Sequence, residues 1–372
     1  MREYQICSRC VMDTEGEPSI SFDENGVCNY CTQAAERLAA LNAPKDFSRV
    51  EACFEAIKED CKDAPYDCLV GVSGGLDSSY CIYLGHKFGL RMLGVHIDDG
   101  LDTALASENI RKLCEAAHVD LKNIQLDMEQ YRDLILSFFK AGVPNLAIPQ
   151  DNLIQAALID LVRKHKLKYL LFGGNISMEG VLQTGNSYTA ADDVHIRAIQ
   201  KRFSGKPIDH LRLTSTLESS VFKRLRKDVV HVRPLNMIDY RMDTALQDLY
   251  EFCGYEYYDG KHHESVLPRF MQCWYLPEKF GVDKRKSHLS SMIVSGQMKR
   301  EDALAELAQK GYPSEELKES DFNKLAEFFG ISREEFDRLL AQPAHSHDEY
   351  PKSFLSARLI PFLLRYRKLL HF

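Results

Sequence analysis

An α/β fold built on a doubly wound parallel sheet is predicted by three features of this sequence. Short apolar runs alternate with stretches of helical period from about residue 67 to residue 253. One strand–helix junction is the small-residue loop Gly71-Val72-Ser73-Gly74-Gly75-Leu76-Asp77-Ser78-Ser79. Polar loops follow the first, second and fourth predicted strands, and in such sheets ligands bind beyond the carboxyl ends of the strands.

In chain order, Phe47, Val50, Phe54 and Ile57 recur at helical spacing across 46–61, ahead of a first strand at 67–72 and a helix over 78–88. A second strand follows at 91–98, a helix over 103–118 and a third strand at 123–127. Helices over 129–140 and 151–166 precede a fourth strand at 169–173. A fifth strand is expected at 229–234, then a helix over 243–253. The polar, irregular stretch 176–228 reads as an insertion, a lid or substrate loop. Beyond about 255 the period is helical, at 287–296, 299–309, 315–329 and 332–342, with Ser314, Ser320 and Ser332 as cap candidates. The expected division is therefore 1–45, 46–254 and 255–372. The last stretch, 354–372, is rich in Leu and Phe with Arg358, Arg365 and Arg367 interspersed, which suits a docking or homodimer helix.

The Ser-Gly-Gly loop is the most informative motif. Glycines let the backbone approach a ligand, converging N–H groups favour an anion, and the helix dipole adds to them. Ser73, Gly74, Gly75, Ser78 and Ser79 would supply donors. Asp77 suits a Mg²⁺-binding or loop-orienting carboxylate, and equally an N-cap. No Lys follows the glycines, so the loop is not of the GxxxxGK[ST] type. Asp98 and Asp99 suit a ribose or a second Mg²⁺, or a plain Asp-Asp-Gly turn; Gly173-Gly174-Asn175 suits a second nucleotide-side loop, or a simple turn. Glu179 is placed to accept a proton or bind substrate, unless it is merely solvated.

Cys7-Ser8-Arg9-Cys10 and Cys28-Asn29-Tyr30-Cys31, 17 residues apart, have the spacing of a four-cysteine zinc ribbon, with an iron–sulfur cluster or redox thiols as the alternatives. The remaining seven of eleven cysteines are scattered singly and read as core residues in a reducing, cytoplasmic setting. Hydrophobic and charged contents of 45% and 27% are those of an ordinary globular chain, and the net charge of −7 argues against nucleic acid as the main partner. No apolar run has the length of a membrane span, and Met1 leads directly into polar residues rather than a signal peptide.

The S-G-G-x-D-S-S loop resembles that of the PP-loop ATP pyrophosphatases, which cleave ATP to AMP and pyrophosphate. Together with Cys7–Thr14, Gly26–Cys31, Lys279–Arg285, His288–Ser291 and Ser295–Met298, the chain resembles the N-acetyl sugar amidotransferases of bacterial surface-polysaccharide and flagellin-glycan biosynthesis. That resemblance implies ATP-dependent conversion of an acetamido group on a sugar to an acetamidino group. Ammonia would come from a glutaminase paired with a cyclase-like subunit. The chemistry is coherent: the amide oxygen attacks the α-phosphorus, pyrophosphate leaves, ammonia adds to the O-adenyl imidate and AMP departs. Arg269, Lys284 and Arg285 would suit a sugar carboxylate or a phosphate. The chain has Arg at position 2 and no Gly-x-Cys-x-Gly elbow, so ammonia is expected from a partner or from solution. Two rivals remain: a PP-loop tRNA thiolase, which also carries paired C-x-x-C elements, and a scaffold with a decayed loop.

Overall fold

A computed structural model describes residues 3–41, 45–183, 188–225, 229–258 and 260–356. The chain divides into two compact units, one of residues 1–123, 167–186 and 230–319, the other of 124–166, 187–229 and 320–372.

The sheet consists of β1 (Cys68–Gly71), β2 (Met92–Asp98), β3 (Asp120–Gln125), β4 (Tyr169–Leu171) and β5 (Val230–Val232), in the order β3-β2-β1-β4-β5. Pairs β1–β2, β1–β4 and β4–β5 are parallel, with Leu69 opposite Leu93 on one side and Leu170 on the other. The order reverses between β1 and β4, so the loops after these two strands open side by side at the switch point. Leu69, Val70 and Leu93 are fully buried, as expected for strands covered on both faces. Val50, Phe54 and Ile57 of helix Phe47–Asp60, together with Tyr80, Ile82 and Leu84 of helix Leu76–Lys87, belong to the same core.

Helix Leu76–Lys87 begins two residues before its expected start, so Asp77, Ser78 and Ser79 form its first turn. Gly75 is its N-cap and offers no side-chain hydrogen bond, which leaves the first amides of the helix open. The first unit continues through helices Val266–Phe270, Leu276–Phe280, Lys284–Val294 and Arg300–Leu307, with a π-helical turn at Met271–Tyr275.

The stretch expected as a single insertion is split. Residues 176–186 belong to the first unit and 187–229 to the second, where helices Asp193–Phe203 and Thr216–Leu225 replace the expected irregular loop. The reason is burial: Ile196, Ile199 and His195 are completely enclosed, and the Asn152 side chain ties the backbone of Ala190 and Thr214 at 2.6 and 2.8 Å. This second unit is helical, with Tyr131, Phe138, Phe139 and Phe336 among its largest buried side chains. The expected boundary near 255 is no break in the first unit. No helix among the described residues is long and apolar enough to cross a membrane. The proposed docking helix falls almost wholly outside the described residues.

Candidate functional site

The loop after β1 faces a cavity of about 220 Å³, lined by Ser73, Gly75, Leu76, Asp77 and Ser78 from the loop and by Gly173 and Gly174 from the loop after β4. The two loops touch closely: a Cβ on Gly173 would lie 2.7 Å from the Asp77 carbonyl carbon and 2.8 Å from the Ser78 nitrogen. Gly74 has φ +78°, a left-handed conformation favoured by glycine. Its carbonyl accepts hydrogen bonds from the hydroxyls of Tyr255 at 3.0 Å and Tyr258 at 2.9 Å. Because C=O and N–H point oppositely across a trans peptide, that anchorage turns the Gly75 N–H away from the tyrosines. The Gly75 N–H meets the Ser73 Oγ at 3.3 Å, which also lies 2.9 Å from the Ser78 Oγ. Convergent hydroxyls, an amide and an uncapped helix N-terminus together make a cradle for an anion.

The cradle's charge is set by a residue far along the chain. Lys261 Nζ lies 3.3 Å from Asp77 Oδ2 and 2.8 Å from Glu179 Oε1, and the other Asp77 oxygen accepts the Tyr240 hydroxyl at 2.6 Å. Burial disfavours the Lys261 charge, but the two carboxylates outweigh it and raise the amine's pKa. Asp77 is held by Tyr240 and Lys261 in the first turn of the helix, whose N-cap is Gly75. A cation thus stands beside this loop although the loop itself contains none.

Asn175 caps the short helix Ile176–Glu179 by accepting the Met178 N–H at 2.9 Å, and its amide donates to the Gly173 carbonyl; it positions Glu179 but does not line the cavity. Ser79 is buried behind the loop, away from the cavity. Asp98 accepts the Gly100 N–H at 3.0 Å and Asp99 the Leu101 N–H at 3.0 Å, which is the plain-turn alternative. That loop has an indirect effect: it bonds to the segment bearing Glu264 through Thr103 N to Glu264 O at 2.9 Å and Val266 N to Leu101 O at 2.8 Å. Glu264 lines the cavity, and its carboxyl pKa is lowered because the adjacent His262 outweighs burial. His262 itself has φ +64°, local strain beside the site.

A second cavity of about 1040 Å³ shares Met178, Glu179, Met242, Tyr257, Lys261, His262 and His288 with the first, so the two are continuous. Lys284, Ser287 and His288 of helix Lys284–Val294 line it at positions i, i+3 and i+4, one helical face. Burial, reinforced by the Lys261 charge, depresses the His288 imidazole to about 4, so the ring is neutral at physiological pH. Its Nδ1 lies 3.4 Å from the Met178 carbonyl.

Two of the three expected substrate cations are occupied elsewhere. Arg269 is buried, donates from Nη1 to the His263 carbonyl at 3.2 Å and lines neither cavity. Arg285 borders the large cavity, but its guanidinium pairs with Asp283 at 2.7 Å and binds the carbonyls of Glu306 and Gln309. Lys284 alone retains an ammonium with no hydrogen bond or ion pair among the described residues, and burial lowers its pKa.

Cys7, Cys10, Cys28 and Cys31 come together as expected. Their four sulfurs lie within 4.8 Å of one another, fully buried, and the Cys7–Cys31 and Cys10–Cys28 separations are both 3.8 Å. A tetrahedron with metal–sulfur bonds of ~2.3 Å has an edge of ~3.8 Å, the geometry a zinc ion requires. Backbone amides of Cys10, Met12, Cys28 and Cys31 point at the sulfurs at 3.2–3.4 Å, as suits thiolates. The cluster lies against helix Lys284–Val294: Val11 N donates to Ser290 Oγ at 3.3 Å, and Lys286 pairs with Asp13 at 2.5 Å. Arg300 donates to the Cys7 and Cys10 carbonyls, each at 3.0 Å.

Residues 264–361 match the family model described as "LPS biosynthesis protein WbpG-like, C-terminal domain". Over 120 residues, 30% of this chain, the sequence is 27% identical to tRNA-specific 2-thiouridylase MnmA 2 of Fusobacterium nucleatum, and it spans about a third (34%) of that protein's length. Among solved structures, NMN synthetase from Francisella tularensis aligns with a TM-score of 0.29 at 10% identity, covering 60% of this chain and 92% of that one. NAD+ synthetase from Burkholderia pseudomallei aligns with a TM-score of 0.26 at 15% identity, covering 59% and 94%.

Proposed function

We propose that this chain uses ATP to activate the acetamido oxygen of a sugar and replaces it with nitrogen from ammonia, in lipopolysaccharide or related glycan biosynthesis. The observation that carries the reading is the open helix N-terminus in the Ser73–Ser78 cradle, facing a small cavity that runs into a larger one. A phosphate-sized anion fits the first and a bulky acceptor the second. The match over 264–361 to a lipopolysaccharide-biosynthesis domain supports the same direction.

In this mechanism Ser73, Ser78 and the Gly75 N–H hold the β,γ-pyrophosphate, and Lys261 neutralises charge developing on it as the amide oxygen displaces it from the α-phosphorus. Mg²⁺ accompanies ATP and would share that charge, with Asp77 and Glu179 the nearby carboxylates. As Lys261 turns toward pyrophosphate, Glu179 loses its cation and becomes available to take a proton from the incoming ammonium. Ammonia then adds to the imidate carbon, AMP leaves with the former amide oxygen, and an amidine remains. Cys7, Cys10, Cys28 and Cys31 would hold zinc with no open position, giving it a structural part. A glutaminase with a cyclase-like subunit would supply the ammonia.

The similarity to a tRNA 2-thiouridylase keeps tRNA thiolation as a second reading. Among the described cysteines, only Cys273 lines either cavity, whereas sulfur transfer through paired thiols needs two. The purified protein should release pyrophosphate and AMP from ATP only when ammonium and a nucleotide-linked acetamido sugar are present, with an amidine detected by mass spectrometry. Release of ADP and orthophosphate would overturn the proposal. Turnover that requires tRNA and a sulfur donor would favour the second reading.

A further inference from the structure

The proposed reaction must shed two protons from nitrogen, and Glu179 accounts for one. Ammonium loses the first before it attacks. The nitrogen that then bonds to the imidate carbon carries three hydrogens and a positive charge. It must lose a second proton before its lone pair can expel AMP. The acceptor of that proton has to stand where the phosphate cavity meets the larger one. Among the described residues, the titratable side chains that line both cavities are Glu179, Tyr257, Lys261, His262 and His288. Glu179 takes the first proton, and Lys261 is held as a cation by two carboxylates. Tyr257 is a phenol, an acid rather than a base at neutral pH. Burial makes His288 a weak base. His262 remains.

The surroundings of His262 suit that task. Its side chain is 45% exposed, so a proton it accepts can pass to solvent, and its Nδ1 lies 3.6 Å from Glu264 Oε1, within ion-pair reach. The Glu264 side chain is only 13% exposed, and its backbone carbonyl accepts the Thr103 N–H at 2.9 Å, so the carboxylate is well anchored. A Cβ on Gly75 would lie 3.1 Å from Glu264 Oε1, which sets this carboxylate against the cradle. His262 keeps φ +64°, and strain of that kind persists where the surrounding structure enforces it.

We infer that His262, oriented by Glu264, is the general base that removes the second proton, after nitrogen has bonded to the imidate carbon. One N–H bond breaks and its proton moves to the Nε2 of His262. The electron pair left on nitrogen forms the C=N bond of the amidine as the bond from carbon to the AMP oxygen breaks, and that pair leaves with AMP. The imidazolium, paired with Glu264, then returns its proton to solvent. The assignment rests on the reaction proposed above and adds to it the residue that completes the second step.

The test separates activation from nitrogen transfer in His262→Asn. Asparagine tolerates the left-handed backbone and offers no base. With UDP-N-acetylglucosamine or its uronic acid as acceptor, exchange of labelled pyrophosphate into ATP needs no ammonia and should be unchanged. Amidine formation with ammonium should fall by about 10²-fold or more, and the limb of the kcat profile that declines toward low pH should flatten. Hydroxylamine, whose nitrogen is far more acidic once it has attacked, needs no base and should restore most of the rate. Equal losses with ammonium and hydroxylamine, or lost exchange, would make His262 a structural residue and overturn the assignment. Wild-type protein that shows no exchange with either acceptor would remove the proposed reaction and the assignment with it. Wild-type turnover matched by the variant would remove the assignment alone. Without any substrate, histidine NMR spectra read against His262→Asn should show the His262 titration moving to lower pH in Glu264→Gln, because the carboxylate favours the imidazolium. A midpoint indifferent to Glu264 would overturn the pairing.

Discussion

The two continuous cavities are built on opposite principles. In the smaller one every described charged group is paired before a ligand arrives: Asp77 with Tyr240 and Lys261, Glu179 with Lys261, Glu264 beside His262. In the larger one the Lys284 ammonium has no hydrogen bond or ion pair among the described residues, and burial lowers its pKa. The first arrangement is a preorganised electrostatic field, which suits stabilisation of developing charge. The second leaves that cation open to a ligand, which suits recognition of a bound molecule rather than its activation.

That contrast can be broken most forcefully at Lys261. Lys261→Met should leave Asp77 and Glu179 as uncompensated neighbours and lower kcat for pyrophosphate release by about 10²–10³-fold, with a much smaller change in acceptor KM. Steady-state kinetics with each substrate varied separately would reveal an acceptor effect if the cavities are not divided in this way. Gly173→Ala should act next, since its Cβ would lie 2.7 Å from the Asp77 backbone and push the two loops apart. About a tenfold rise in ATP KM is expected, with acceptor KM again the control.

The smallest effect is expected at His96, on β2 behind the cradle. Its Nδ1 lies 2.8 Å from the Val72 carbonyl and its Nε2 3.1 Å from Asp102. Burial disfavours the imidazolium, but Asp102 and the Val72 carbonyl outweigh it, so the folded-state pKa is raised. A raised pKa gives stabilisation that is fully present below the unfolded value and lost as pH rises through the folded one. His96→Gln should therefore cost about 1 kcal/mol more near pH 5.5 than near pH 8.5 in denaturant titrations. An equal cost at both pH values would show that the ring is neutral throughout.

Much of the smaller cavity was legible because backbone makes it. Strand-length apolar runs and a Gly-Gly turn leave local marks, and so do cysteines separated by two residues, whose metal geometry follows from spacing. The residues that complete it left none. Lys261, Tyr255, Tyr258 and Tyr240 reach the Gly74–Asp77 segment from more than 160 positions away, and nothing in their neighbourhoods marks them as partners. Arg269 and Arg285 were expected as ligand cations because charge type is visible in a sequence whereas its satisfaction by nearby carbonyls is not. The stretch 187–229 read as irregular because its buried residues are enclosed by chain distant in sequence rather than by a local period. Lys284, Ser287 and His288, by contrast, fall on a single helical face, a spacing visible in the sequence.

The cysteine knuckle has a consequence well beyond its own residues. Its Val11 amide and Asp13 carboxylate hold Ser290 and Lys286, on the back of the helix whose front is Lys284, Ser287 and His288, and its carbonyls hold Arg300 of helix Arg300–Leu307. Zinc held by the four thiolates would brace that helix, and a chelator that removed it would loosen the support behind Lys284, Ser287 and His288 before it reached the Ser73–Ser78 loop.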